Sequence, residues 1–503
     1  MNRASRLAVV LILAGPWASP SKAADAPASL PRSTPERQGV ASSAVLDFVE
    51  TADSKLDSLH SFMLIRHGNV VAEGWWSPYS AQSRHELYSL SKSFTSTAVG
   101  LAIAEGKMTV DDSVLSAFPD DAPPNPSTNL KAMRVRDLLR MSAGHQVEVK
   151  LSADVISSKG FLAHPVPFKP GTHFMYNTPA TFMASAMVQK ATGQAVVDYL
   201  KPRLFEPLGI TDPVWDANFQ GISLGGYGLN LKTEDIAKFG QLLLQKGQWN
   251  GKQIVPAAWV EEATARQTSN GSNPKSDWEQ GYGYQFWRCR NNAFRGDGAF
   301  GQYCLVMPDQ DAVIAITSGL NDLQGVLALI WDKLLPAFQT GALAEAPDDA
   351  RKLQDRLKSL TIRKPSGRGS SPTLAQVVGK TYAFPSNDRK LETLRIEAGA
   401  SPDELVLITR IDGQDRRVEV GATDWKKGNI PAPPGAGITP AKGTRNIAAI
   451  GAWTADDTYT ARVVLYETPF VQTQTMRFSG EEVFLDSMIN VRGKDPQLVG
   501  RRQ

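Results

Sequence analysis

The sequence predicts a two-part α+β protein, with a mixed helix-and-sheet domain over residues 34–340 and an all-β domain over residues 373–503. Three observations carry the prediction. A hairpin pattern opens the first part, and a succession of strand-like runs followed by a helix closes it. Between them lies a strongly apolar stretch that suits a buried helix. Beyond residue 340 the composition changes, and the chain then runs through β-rich segments to its end.

The hairpin is Ser61 to Ile65 and Val70 to Glu73, joined by Arg66-His67-Gly68-Asn69, where Gly and Asn tolerate positive φ. The apolar helix starts around Ser89-Leu90-Ser91-Lys92 and continues through Ala98-Val99-Gly100-Leu101-Ala102-Ile103-Ala104 to a glycine stop at Gly106. Further helices are expected over Val135 to Met141, Thr181 to Ala191, Thr233 to Gln245 and Leu323 to Phe338. Between Tyr282 and Thr317 strand-like segments follow one another, the last being Ala312 to Thr317. Residues 341–372 begin charged and end in Pro365-Ser366-Gly367-Arg368-Gly369-Ser370-Ser371-Pro372, the composition of a helical and Pro-Gly-Ser linker. The runs Leu391 to Glu397, Glu404 to Ile411, Arg416 to Val420, Tyr459 to Glu467, Val471 to Phe478 and Val483 to Ile489 then read as a barrel or sandwich.

Composition excludes several classes of function. Lys plus Arg number 54 against 51 Asp plus Glu, so no broad positive field for nucleic acid is present. Hydrophobic residues at 42% and charged residues at 21% are ordinary globular usage, which disfavours a disordered or multi-span membrane chain. The first residues differ. Arg3 and Arg6 precede the apolar run Leu7 to Gly15, and Ser21-Lys22-Ala23 supplies a small-x-small cleavage pattern. Residues 1–23 are therefore expected to be a signal peptide, the alternative being a short membrane anchor. The mature protein is expected to be periplasmic or secreted, with no stable membrane insertion after cleavage.

The two cysteines, Cys289 and Cys304, lie in separate strand-like runs, and Asn291 to Gly298 is placed to reverse the chain between them. A cross-strand disulfide is the expectation for an exported protein, the alternative being a pair of buried thiols. No Cys/His cluster with zinc spacing accompanies them, so no metal is expected.

Two serine motifs compete for the role of nucleophile. Gly221-Ile222-Ser223-Leu224-Gly225 matches a GxSxG elbow, but no apolar strand precedes it and no helix follows. All six histidines come earlier in the chain, so a Ser…Asp…His order cannot be built on Ser223. The second motif is Ser89-x-x-Lys92, whose spacing puts hydroxyl and amine on one helical face. Burial disfavours the ammonium and converts the amine into a base. Ser19…Lys22 and Ser272…Lys275 share the spacing, but Ser89 alone opens an apolar helix.

With these residues the sequence resembles the serine β-lactamase and penicillin-binding superfamily, in the class C β-lactamase-like branch of esterases, D-aminopeptidases and 6-aminohexanoate-dimer hydrolases. Phe174-Met175-Tyr176-Asn177-Thr178 is similar to the family's Tyr-x-Asn segment, although Thr178 stands where the pattern has Asn. Phe294-Arg295-Gly296-Asp297-Gly298-Ala299 is similar to the strand bearing the family's Lys-Thr-Gly box, but the box itself is absent. The resemblance covers about residues 40 to 340 and implies a mostly antiparallel sheet flanked by helices, with an inserted helical region. It implies Ser89 as nucleophile, Lys92 and Tyr176 as the acid-base pair, and the amides of Ser89 and Ala299 as an oxyanion hole, with Gly296 as the alternative register for the second amide. Asn177, Thr178, Arg295 and Gly298 become candidate substrate contacts, with Arg295 replacing the missing lysine as cation. Which of Lys92 and Tyr176 is the base stays open.

The expected function is therefore an exported serine hydrolase acting on a small ester or amide without a cofactor. β-Lactamase or D-amino-acid peptidase activity is the alternative within the fold, and the absent Lys-Thr-Gly tells against it. A non-catalytic envelope-binding module is the alternative of another class. The C-terminal domain resembles the barrel or lipocalin-like appendages of some family D-aminopeptidases, and oligomeric state is not legible.

Overall fold

The computed structural model describes residues 29–151, 155–431 and 443–503, so the signal-like segment lies outside the described residues. Helix α1 (Ser42–Lys55) leads into strands β1 (Leu59–Arg66) and β2 (Asn69–Trp75), the expected hairpin. Helix α2 (Ser91–Ala104) follows a single 3-10 turn, Tyr88–Leu90. The inserted region consists of short helices between residues 114 and 162 and the longer α3 (Thr178–Thr192), followed later by α4 (Thr233–Leu244). Strands β3 (Trp287–Arg288), β4 (Phe294–Gly298), β5 (Gln302–Met307) and β6 (Ala312–Ser318) then complete an antiparallel six-stranded sheet in the order β2-β1-β6-β5-β4-β3.

The sheet is covered on both faces, so its central strands are apolar throughout rather than alternating with polar residues. Side-chain parity divides them between two cores. Met63, Ile65, Cys304, Val306, Val313 and Ala315 pack toward α2 and α4, whereas Phe62, Leu64, Tyr303, Leu305, Ile314 and Ile316 pack toward α1 and α5 (Leu323–Leu329).

This parity corrects the expected disulfide. Both cysteines are free. Cys304 lies in the core beneath α4, and its partner across the ladder is Gly296. Cys289 lies in the opposite core, with Sγ 3.0 Å from an Arg295 nitrogen. A sheet separates the thiols. The segment read as a chain reversal is in fact strand β4, whose glycines hide its β character; the reversal itself is a tight turn at Asn291 and Asn292, both at positive φ.

Residues read as linker pack closely on the first domain. Helix α6 (Pro347–Lys358) buries Leu353 in the α1-side core, which Leu360 and Ile362 also join. The C-terminal strands are β7 (Thr381–Ala383), β8 (Leu391–Ala398), β9 (Leu405–Ile411), β10 (Gln414–Val420), β11 (Lys426–Pro431), β12 (Thr444–Ala455), β13 (Thr458–Val464), β14 (Val471–Ser479), β15 (Glu482–Ile489) and β16 (Leu498–Arg502). Their order is β10-β9-β8-β7-β16-β15-β14-β13-β12-β11, and a bridge from Gly421 to Ile450 draws the two ends together into a nearly closed barrel. Tyr382, Trp453, Tyr459, Met476 and Phe478 fill part of its interior.

The barrel docks through the turn between β13 and β14 and the residue after β15. Glu467 O accepts from Glu86 N at 2.9 Å, Thr468 O accepts from the Tyr79 hydroxyl at 3.0 Å, and Asn490 Nδ2 donates to Gly319 O at 2.7 Å. Val464 and Val471 of the barrel belong to the α1-side core of the first domain.

Candidate active site

The nucleophile candidate sits where the chain is strained. Tyr88 has φ of 48°, a left-handed conformation that costs a bulky side chain energy and persists only when its surroundings enforce it. Tyr88 is buried and packs edge-on against Phe300, 5.2 Å between ring centres. The turn presents Ser89 just ahead of α2, with its side chain in a cavity of about 580 Å3 that Glu148, Leu151, Thr178 and Tyr227 also line.

Lys92, one turn along, is 1% exposed, and its Nζ lies 3.0 Å from Ser89 Oγ. The same nitrogen donates to Gly226 O at 2.8 Å and meets Thr178 Oγ1 at 3.4 Å. Burial pushes the Lys92 pKa down to about 7, against the pull of the Glu148 and Asp297 charges. Tyr176 lies beside it, its ring centre 5.0 Å from Nζ, and its hydroxyl hydrogen-bonds Ser89. Burial, reinforced by the Asp297 charge, pushes the Tyr176 phenol well above its ordinary value. The ring is fixed by stacking on Trp287 at 5.5 Å.

Thr178 faces the cavity as expected, and its amide donates to Glu148 Oε1 at 3.0 Å. Asn177 does not. Its side chain is buried, 3.3 Å from His145 Nδ1, with Oδ1 accepting from Val149 N at 3.4 Å. The residue holds the loop that carries Glu148 and does not line the cavity. Burial pulls the His145 pKa down to about 4, and its Nδ1 faces the Asn177 side chain.

Arg295 is a second correction. It is fully buried, donates from Nε to Asp297 at 2.7 Å, and lies over the Trp278 ring at 4.1 Å. Strand parity is the cause. Gly296 and Gly298 present their open faces to Ser93 of α2 and to Leu87 and Tyr88, so residue 295 points to the other side of the sheet.

Gly298 acts through what it lacks. A Cβ there would collide with the Leu87 carbonyl oxygen, so glycine lets β4 lie directly against the nucleophile's turn. The following turn is tied down. Gly298 O accepts from Gly301 N at 3.1 Å, Ala299 O accepts from Gln302 Nε2 at 3.1 Å, and Phe300 at φ 68° has its carbonyl held by Ser318 Oγ at 2.7 Å. Because a peptide is planar, the Ala299 N–H points opposite to the Gly298 carbonyl, away from that turn. Gly298→Ala is expected to lower kcat by about 10²-fold through sub-ångström displacement of β4 from Ser89. Steady-state kinetics beside a thermal melt checks this, and a fully active Gly298→Ala protein would remove the close approach from the account.

Three contributors were not read from the sequence: the Gly226 carbonyl, Glu148 and Asp297. The first had a signal. Gly226 directly follows the GxSxG run, and a Cβ on it would lie 2.7 Å from Thr178 Cγ2, so glycine is needed for the loop to reach Lys92. Ser223 itself is buried, its Oγ 3.5 Å from Val197 N.

Comparison with known proteins now decides the family. The Beta-lactamase family model matches residues 60–329, more than half of the 503-residue chain. The chain belongs to the β-lactamase family. This β-lactamase-family protein is 24% identical over 293 residues to the 6-aminohexanoate-dimer hydrolase of Paenarthrobacter ureafaciens, a match spanning 52% of this chain and 73% of the other. It is 27% identical over 152 residues to the lovastatin esterase of Penicillium rubens, covering 25% and 38% of the two chains. A solved β-lactamase-like structure from Bacteroides dorei superposes with a TM-score of 0.51 at 16% identity, covering 59% of this chain and 99% of that one. Members of this β-lactamase family are serine hydrolases that include esterases and amidases, and this chain is a serine hydrolase of that fold.

Proposed function

We propose that this hydrolase works after export and cleaves a small, uncharged ester or amide through an acyl-enzyme on Ser89. The observation that carries the reading is Lys92, fully buried, 3.0 Å from Ser89 Oγ and with its pKa pushed down to about 7. A neutral amine has two N–H groups and one lone pair. Gly226 O and Thr178 Oγ1 accept from the N–H groups, which leaves the lone pair for the Ser89 proton.

In the cycle, Ser89 Oγ attacks the substrate carbonyl while its proton passes to Lys92 Nζ. The negative oxygen that forms is held by the Ser89 and Ala299 amides, each worth roughly 3 kcal/mol by analogy with other oxyanion holes. Tyr176, kept protonated by its environment, relays the Lys92 proton to the leaving oxygen or nitrogen as the carbonyl bond to it breaks. Water then attacks the acyl-enzyme by the same route in reverse and frees a carboxylic acid and Ser89. A substrate bearing a carboxylate fits less well, because the cation expected on β4, Arg295, is buried; Lys150, exposed at the cavity rim, is left for that task.

The pH profile tests the assignment of the base. Only neutral Lys92 accepts the proton, so kcat/KM for p-nitrophenyl butyrate is expected to rise about tenfold per pH unit below 7 and to level off above it. Activity that falls as pH rises through 7 would mean that the protonated lysine is the working form.

A further inference from the structure

Inside the barrel, beside the turn that docks on the hydrolase domain, is a cavity of about 410 Å3, within the usual range for small-molecule sites. Part of its wall is formed by inward-facing apolar side chains at alternate strand positions, such as Leu407, Ile411, Val463 and Leu465. Three guanidinium groups also line it, those of Arg416, Arg389 and Arg492, the last lying over the Phe470 ring at 4.9 Å. Arg416 is only 9% exposed, and its Nε has no hydrogen-bond partner among the described residues. Arg389 has a buried Nη1 in the same condition, and its ion pair with Asp495 is long, 3.9 Å. The acids that line the cavity, Asp388 and Asp412, are both exposed, and Asp412 is taken by Lys390 at 3.1 Å.

Burying guanidinium nitrogens without hydrogen-bond acceptors is expensive, and burial pulls the pKa of Arg416 and Arg389 down. An anion bound inside would satisfy them. We propose that the barrel cavity is a binding site for an amphiphilic carboxylate, with its aliphatic tail on the apolar wall and its head on Arg416 and Arg389. The planar guanidinium fork matches a carboxylate in geometry and charge, and the tail suits the apolar part of a wall that also carries Thr409, Gln472 and Gln474. The site is built from barrel residues alone and is separate from the Ser89 cavity.

Calorimetric titration of the full chain with decanoate tests this, with decanol as the uncharged probe of equal length. Expected are one saturable decanoate site, decanol at least tenfold weaker, and at least tenfold weaker decanoate binding in Arg416→Gln and Arg389→Gln. Leu407→Trp, which fills the cavity, should abolish binding, and a thermal melt of each variant confirms that it is folded. Ser89→Ala should bind decanoate as wild type does, which separates this site from the cleft. The proposal is overturned by absence of saturable decanoate binding, by equal affinity for decanol, by wild-type affinity in folded Arg416→Gln and Leu407→Trp, or by loss of binding in Ser89→Ala.

Discussion

Lys92→Met should lose about 10³- to 10⁴-fold in kcat, as expected for a general base, and yet unfold less readily than wild type at pH 6. The two effects have one source. Lys92 titrates near 10.5 in the unfolded chain and at about 7 in the fold, so below pH 7 folding must work against its full desolvation. Between about 7 and 10.5 the unfolded chain holds the extra proton, and wild-type stability therefore rises with pH across that window. A shift of this size corresponds to something on the order of 3–5 kcal/mol at low pH. Met fills similar volume without the charge but leaves the Gly226 carbonyl unpaired, a loss of roughly 1–3 kcal/mol. The variant should thus be about 1–3 kcal/mol more stable at pH 6, and its advantage should vanish by about pH 10. Urea unfolding of both proteins across pH checks this. A variant less stable than wild type at pH 6 would show that Lys92 is carried as a satisfied cation and is no base.

Ser89→Ala should remove turnover to below about 10⁻⁴ of wild type, the scale seen when a nucleophile is deleted from a serine hydrolase. It should also remove labelling by a fluorophosphonate probe, read as the loss of a single adduct in the intact mass. Its thermal midpoint should stay close to that of wild type, because the side chain taken away lies at a cavity rather than in packed core. Labelling that survives in Ser89→Ala would place the activated serine elsewhere, and Ser223, buried against α3 and bonded through its carbonyl to Ser185, would be the first to examine.

How much of this was legible in the sequence follows from how local each signal is. The hairpin, α2 and the barrel runs from Leu391 to Ile489 are written in short-range alternation or apolar periodicity, and the structure has them within a few residues. Ser89 and Lys92 are set by a single helical turn, and Tyr176 by a family motif. Errors came where orientation mattered. Arg295 and Gly298 lie on opposite faces of β4, being an odd number of residues apart, and Arg295 is fully buried against Asp297 on its own face. The same rule separates Cys289 from Cys304 once β4 is recognised, but Gly296 and Gly298 disguise that strand as a turn. Strands β11 and β12 went unread because Lys426-Lys427-Gly428-Asn429 and the Ala- and Gly-rich Ala448 to Ala452 carry little β propensity. The Gly226 carbonyl and Glu148 reach Lys92 only through the tertiary fold, and a backbone oxygen leaves no residue type to search for.

The shared core beneath the barrel has a consequence for inheritance and engineering. Val464 and Val471 lie among the hydrolase's own interior residues, and Trp425 and Tyr466 pack against the same core. Phe470 meets Phe300, which meets Tyr88 beside the nucleophile. Cutting the chain at the Pro-Gly-Ser stretch would therefore expose an apolar scar on the catalytic half and unseat the ring that props Tyr88. The two halves look like beads on a string in the one-dimensional text, but neither can be exchanged for a stranger without rewriting the face of the other.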